Sequence, residues 1–438
     1  MPVSWRIEID WEALQGAPAE ERACFGAIGL RINERWMTEG QDYLANRLRT
    51  KPYLSGYHLA EWLAWNWWRL RWEPRSSSRE WAQSHCMATI GQGYIWPNIS
   101  FFSDGERTAL VSRPTSERPD TPLRYISDYA AVLPAGQFEA GLDEFFAQVI
   151  DRLDAQRTLC TNFHAIFESL SEERRTPDLA ARRKLEALLG EDPDEADPAI
   201  VERLLSDGRE AGIDAIQEIA AARAQTGDAP ALAELRRLAR DSGFEASPRD
   251  AVRLRVRDGL APSEDRPAWL VGALAARALR EQERLDGQPI SNRRLADMAG
   301  VPAAALESRQ DRQANLSFII NDERDAGHLI LRSKWHEGRR FELARLLGDR
   351  LLASPANRLF PATRASTYRQ KMQRAFAAEF LSPFDEVEAV LGGDYSSEGQ
   401  RDAAEHFDVS PLTIRTLLVN HHRLPLEELG EDFDVNAA

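Results

Sequence analysis

The spacing most like a metal site lies between residues 336 and 349. His336-Glu337 opens as a zinc-helix motif does, but Arg340 stands where a second imidazole would fall on the same helical face. Further along, Arg345 and Asp349 are four residues apart, a spacing that makes opposite charges neighbours on a helix. Other reactive groups have less support. His85 adjoins Cys86, yet sequence neighbours on a strand face opposite sides, and His421 and His422 point to different helical faces. Gly91-Gln-Gly93 lacks the third glycine of a dinucleotide loop. There is no Gly-rich phosphate loop and no Ser/His/Asp or Cys/His set with local support. No cofactor is expected.

The elements around that stretch carry a longer pattern. Residues 341–349 read Phe-Glu-Leu-Ala-Arg-Leu-Leu-Gly-Asp, and residues 370–383 read Gln-Lys-Met-Gln-Arg-Ala-Phe-Ala-Ala-Glu-Phe-Leu-Ser-Pro. Upstream, Ser317-Phe-Ile-Ile and His328-Leu-Ile-Leu read as short strands. Together this region, roughly 312–425, resembles the ImmA/IrrE-type metallopeptidases, whose active helix reads close to Phe-Thr-Leu-Ala-His-Glu-Leu-Gly-His. Phe341, Leu343, Ala344, Leu347 and Gly348 match that helix, and Phe376, Ala377, Ala378, Glu379, Leu381 and Pro383 fix the downstream register. By this resemblance the two zinc-binding histidine positions hold Arg345 and Asp349, the catalytic glutamate position holds Leu346, and the third ligand falls on Gln370.

Catalytic zinc needs three protein ligands, an open position for water and a carboxylate base. None of the four groups is present. Arg345 keeps its proton at physiological pH, and a cation about 4 Å from a divalent ion costs on the order of 8 kcal/mol at an effective dielectric near 20. The resemblance therefore implies a zincin-like scaffold with a vestigial site. An Arg345–Asp349 ion pair, with Gln370 hydrogen-bonding beside it, is expected to plug the pocket. The other reading is an ordinary solvated pair worth a few tenths of a kcal/mol.

The chain has 438 residues, enough for roughly three domains at about 150 residues each. A net charge of −15 argues against indiscriminate binding of nucleic acid or anionic membrane by the whole surface. Residues 324–374 run the other way, with twelve Lys and Arg against four Asp and Glu, a basic island around the vestigial site. Arg339 and Arg340 within it are candidates for contact with a partner or nucleic acid. Cys24, Cys86 and Cys160 have neither metal-ligand nor redox spacing, so a reducing cytoplasm is expected. The amino terminus carries charges in place of a signal-peptide core, and the apolar run 268–279 is broken by Arg277 and falls short of the ~20 residues that span a bilayer. No membrane association is expected.

Ten of the twelve tryptophans fall in the first 155 residues, among strand-like runs near 6–9, 24–32 and 94–102 and a helical run at 138–153. These indicate an α+β domain. In residues 57–72, Leu59, Trp62, Leu63 and Asn66 follow helical spacing, and then Trp68, Leu70 and Trp72 alternate as in a strand. Tryptophans this dense serve core packing, or form a partner surface in which Trp68 and Trp72 interleave with Arg69, Arg71 and Arg75, or stack single-stranded nucleic acid. The sequence does not separate these readings.

Residues 156–285 are rich in Ala, Leu, Arg and Glu, with helical runs at 178–189, 199–205, 213–224, 231–241 and 269–283. They read as a helical linker or bundle. Residues 286–311 resemble a helix-turn-helix core, with Leu295 and Ala296 on its first helix, Gly300 at the turn, and Val301 and Leu306 packing the second. Residues 391–428 resemble another, where Ser410 caps a helix whose Arg415 is a candidate phosphate or base contact.

The expected architecture is multidomain α+β and predominantly helical. It comprises a Trp-rich α+β domain (1–155), a helical middle (156–285), a helix-turn-helix-like segment (286–311), a degenerate ImmA/IrrE peptidase-like domain (312–390), a helix-turn-helix-like subdomain (391–428) and an acidic tail (429–438). The expected function is a non-catalytic, cytoplasmic regulator or adaptor that binds a protein partner in a prokaryotic defence, toxin–antitoxin or mobile-element setting. Two alternatives stand beside it: a DNA-binding transcriptional regulator using the basic island, and an active metallopeptidase with atypical ligands.

Overall fold

A computed structural model describes residues 4–76, 78–115, 121–255, 260, 265–307, 314–322 and 326–425. The acidic tail lies outside the described residues, as does the expected boundary at 311–312. The chain is mixed α+β and forms two compact units, Met1–Asp197 and Pro198–Ala438. Among the described residues no helix is long and apolar enough to cross a membrane.

In the first unit, strand Trp5–Trp11 pairs antiparallel with Phe25–Ile32, which also pairs with Arg35–Trp36 and Tyr53–Ser55. Two three-stranded antiparallel sheets accompany it. One orders Tyr129–Pro134, Arg107–Ser112 and Ile99–Ser103, and the other Arg47–Arg49, Gly40–Asp42 and Leu123–Tyr125. Helix Ala135–Ala155 buries Phe138, Leu142, Phe145, Phe146, Val149 and Leu153 on one stripe, at the spacing expected of an amphipathic helix. Its Gly141 admits the Trp5 ring, since a Cβ there would sit 2.3 Å from Trp5 Nε1. The indole then donates to the Gln137 carbonyl at 2.9 Å.

Residue 155, the expected end of the first domain, falls inside this unit. Helices Asn162–Arg175 and Pro177–Leu188 add Phe163, Leu170 and Ala187 to the same core. The alternating reading of residues 68–72 is also corrected. Ser55 caps helix Gly56–Trp65, Asn66 interrupts it, and Trp67–Trp72 is a second helix whose Arg69 pairs with Glu73 one turn on. Every residue from Trp67 to Arg71 is buried, so no single apolar face marks its period.

The second unit begins with helices Pro198–Ala211, Ile213–Ala221 and Leu232–Ser242. The chain then supplies Phe244–Ala246 as the first strand of an antiparallel sheet that continues through Gly327–Ile330 and Ser317–Asn321 to Leu359–Ala362. The stretch expected as a helical middle is thus divided between the two units. Helix His336–Leu352 packs against helix Tyr368–Leu381, and helix Ala268–Gln282 lies along the latter. Two glycines permit these close approaches. A Cβ on Gly348 would meet the Phe376 ring at 2.5 Å, and one on Gly272 would meet the Met372 carbonyl oxygen at 2.3 Å.

Helix Asn292–Ala299 is capped by Ser291 and ends at Gly300, whose φ of +69° suits glycine. The helix described after it, Ala304–Glu307, has four residues. Leu295, Ala296, Val301 and Leu306 are buried in the unit's core. The last helical pair, Ser397–Phe407 and Pro411–Asn420, turns at Asp408, with Ser410 accepting from the Thr413 N–H as the N-cap.

Candidate functional site

Helix His336–Leu352 places Arg345 and Asp349 on a face turned toward strand Leu359–Ala362 and helix Tyr368–Leu381, and the latter carries Gln370. The three residues do converge. Arg345 is 7 % exposed, and its Nη2 donates to the Thr363 carbonyl at 2.7 Å and to Gln370 Oε1 at 2.5 Å, with Gln373 Oε1 at 3.3 Å. Gln370 Oε1 also accepts the Thr363 N–H at 2.8 Å, and the Gln370 and Gln373 amides both donate to the Pro361 carbonyl. Gln370 touches Arg345 as expected.

Asp349 does not pair with Arg345. Its two oxygens accept a fork from Arg369, Nε and Nη2 each at 2.7 Å. A planar guanidinium on the facing helix can make two parallel bonds to one carboxylate, a geometry that the i, i+4 neighbour does not offer here. Burial works against the Arg369 charge, but Asp349 holds its pKa above the ordinary value. Glu218, also buried, accepts from Thr367 Oγ1 at 2.7 Å; burial pushes its carboxyl up while the charge of Arg369 pulls it down.

Burial, then the charge of Arg374, pushes the Arg345 pKa down to about 9, so it remains a cation at neutral pH. Its Nε is buried without a hydrogen-bond partner. The donor chemistry does not fit zinc. Arg345 is cationic, Leu346 is aliphatic, both Asp349 oxygens are engaged, and the Gln370 oxygen already accepts two hydrogen bonds. Among the described residues no group of three or more His, Cys, Asp or Glu side chains is arranged to hold a metal ion.

The remaining candidates are mostly internal. Arg340 is 1 % exposed and joins three segments: it donates to the Ile290 carbonyl, to Asn292 Oδ1 and to the Asp408 carbonyl. His336 hydrogen-bonds the Asp408 carboxylate at 3.0 Å. Arg339 is equally buried and donates to the Ala305 carbonyl. These arginines, the candidates for partner or nucleic-acid contact, are turned inward and tie Ile290, Ala305 and Asp408 to the central helix. Arg415 is half-buried and reaches Gln400 Oε1 at 3.1 Å.

In the first unit, Arg69 is buried between Glu73 and Asp192, and Arg71 between Glu139 and the Gly105 carbonyl. Burial raises the Glu73 pKa to about 7, with Arg69 acting against it. Trp68 is buried and donates to Glu173 at 2.7 Å. Trp72 lies between the Arg71 guanidinium at 3.9 Å and the Lys184 ammonium at 3.8 Å. Of the three readings of the tryptophans, packing describes these. His85 and Cys86 form no dyad: the imidazole is fully buried and stacked on Trp81, and the thiol faces Asn98.

Sequence reasoning missed Arg369, Thr363, Gln373 and Glu218. Arg369 adjoins Gln370, so the register that found one could have found the other. Glu218 carries no such signal, because it lies 149 residues from its partner Thr367. No protein-family model, curated protein or solved structure matches the chain.

Proposed function

We propose that this chain is a non-catalytic regulatory or adaptor protein whose second unit is an ImmA/IrrE-like scaffold that holds a protein partner in place of cutting it. The observation that carries this reading is the closed network at the four vestigial positions. Arg345 is bonded to Gln370 and Thr363, Asp349 is forked to Arg369, and Leu346 is fully buried. At such a site the oxygens a metal would need are already engaged in hydrogen bonds, and an aliphatic Leu346 stands at the base position. Trp335, 78 % exposed and immediately ahead of the central helix, is the partner's anchor on this reading, as exposed aromatics often become interface hot spots. The setting is a prokaryotic regulatory or defence system.

Metal analysis of the purified full chain tests the first half. The expected result is no stoichiometric zinc, and one equivalent of zinc that disappears in His336→Ala would restore the peptidase reading. Affinity capture from the native host with mass spectrometry tests the second half, with Trp335→Ala expected to lose the partner recovered by the unaltered chain. Equal recovery would refute the anchor. Salt-dependent duplex binding that weakens in Arg415→Gln would replace this reading with the DNA-binding one.

A further inference from the structure

At the far end of the central helix, its last turn, the connection 353–358 and the segment 248–253 border a half-open cavity of about 510 Å³. That is within the range of small-molecule sites, about 300–1,000 Å³. Arg253, Arg350 and Arg358 all line it, and no carboxylate does among the described residues. The helix C-terminus contributes roughly half a negative charge, far less than three guanidiniums. The walls are fixed: Arg358 donates its N–H to the Ala211 carbonyl at 2.9 Å, and its own carbonyl accepts the Asn321 N–H at 2.8 Å.

The lining is also short of partners. Arg350 Nη1, Asn357 Nδ2 and Asn321 Oδ1 are buried and make no hydrogen bond. Unsatisfied buried groups of this kind are costly and call for an explanation. Burial, and then the like charge of Arg253, lowers the Arg350 pKa. An anion between the two guanidiniums relieves that repulsion.

We propose that this cavity binds a small phosphate monoester, its phosphate held among Arg253, Arg350 and Arg358 and its organic part against Phe360. Guanidinium forks match phosphate oxygens bidentately, and three of them suit a group carrying about −1.5 to −2 charges better than a single carboxylate. Inorganic phosphate alone would leave most of the volume empty, and Val252, Pro355 and Phe360 offer apolar walls for the remainder. This inference does not depend on the proposed function.

The test is titration of the full chain with inorganic phosphate, AMP and adenosine against sodium chloride of matched ionic strength, read by calorimetry and by the thermal midpoint. Saturable binding of phosphate and tighter binding of AMP are expected, with adenosine alone inert. Arg253→Gln and Arg350→Gln should each weaken phosphate and AMP at least about tenfold, as expected when a charge-assisted contact is lost. Arg364→Gln, an exposed arginine absent from the lining, should change nothing. Should Arg350→Gln fail to fold, the exposed Arg253 decides the matter. Phosphate and AMP effects no larger than those of chloride, or binding unchanged in Arg253→Gln, would overturn the proposal. Binding of phosphate with no gain for AMP would overturn the monoester and its contact with Phe360.

Discussion

Arg345 and Asp349 lie one helical turn apart, yet each answers to a different neighbour. Register alone located the cluster, because side chains four residues apart share a helical face and the downstream pattern aligned Gln370 with them. It could not assign the pairing, which depends on where Arg369 projects from the facing helix. The consequence is measurable. Asp349→Ala strands a guanidinium that is 14 % exposed, and breaking a buried pair from one side typically costs about 3–5 kcal/mol. Urea denaturation should show a loss of that order for Asp349→Ala and a smaller one for Asp349→Asn, which keeps one acceptor. A loss below about 1 kcal/mol would mean that solvent reaches Arg369 and the network is open.

The elements that the sequence disclosed best are those with one dry face. The helix read at 138–153 is observed as Ala135–Ala155, and those read at 178–189, 231–241 and 269–283 as Pro177–Leu188, Leu232–Ser242 and Ala268–Gln282. Trp67–Trp72 escaped that logic because burial on all sides erases periodicity, leaving Trp68, Leu70 and Trp72 to imitate a strand. The phosphate-site arginines were also invisible, since Arg253 is nearly a hundred residues from Arg350 and only the packed sheet and helix bring them to one cavity. Packing of the central helix makes its own prediction. Gly348→Ala forces a methyl into the Phe376 ring and should cost about 1–3 kcal/mol by overpacking. Adding Phe376→Leu should return part of that loss in a double-mutant cycle, and strict additivity of the two changes would show that they do not meet.

Each unit has its own apolar core, and residues 1–197 are long enough to sustain one. Expressed alone, this unit should unfold cooperatively. Its acid response sets two groups against each other, because burial pushes the His85 pKa down to about 3 and pushes that of Glu73, 3.8 Å away, up to about 7. The unfolded chain protonates His85 near pH 6.5 and the folded one does not, which costs up to about 1.4 kcal/mol per pH unit on the way toward pH 3. The folded state's protonated Glu73 offsets this down to its ordinary value of 4.5, so the net loss lies below that pH. A shallower slope in His85→Gln over that window is the expected signature, and identical slopes would exclude the histidine as its source. In the second unit, Arg340 spans a longer interval, holding the Ile290 carbonyl behind it and the Asp408 carbonyl 68 residues ahead. At about 5–20 residues per second, a ribosome delivers Asp408 on the order of 3–14 s after Arg340. The nascent chain must carry that hydrated guanidinium until its clasp arrives, so the unit reaches its final form only after residue 408 has been made.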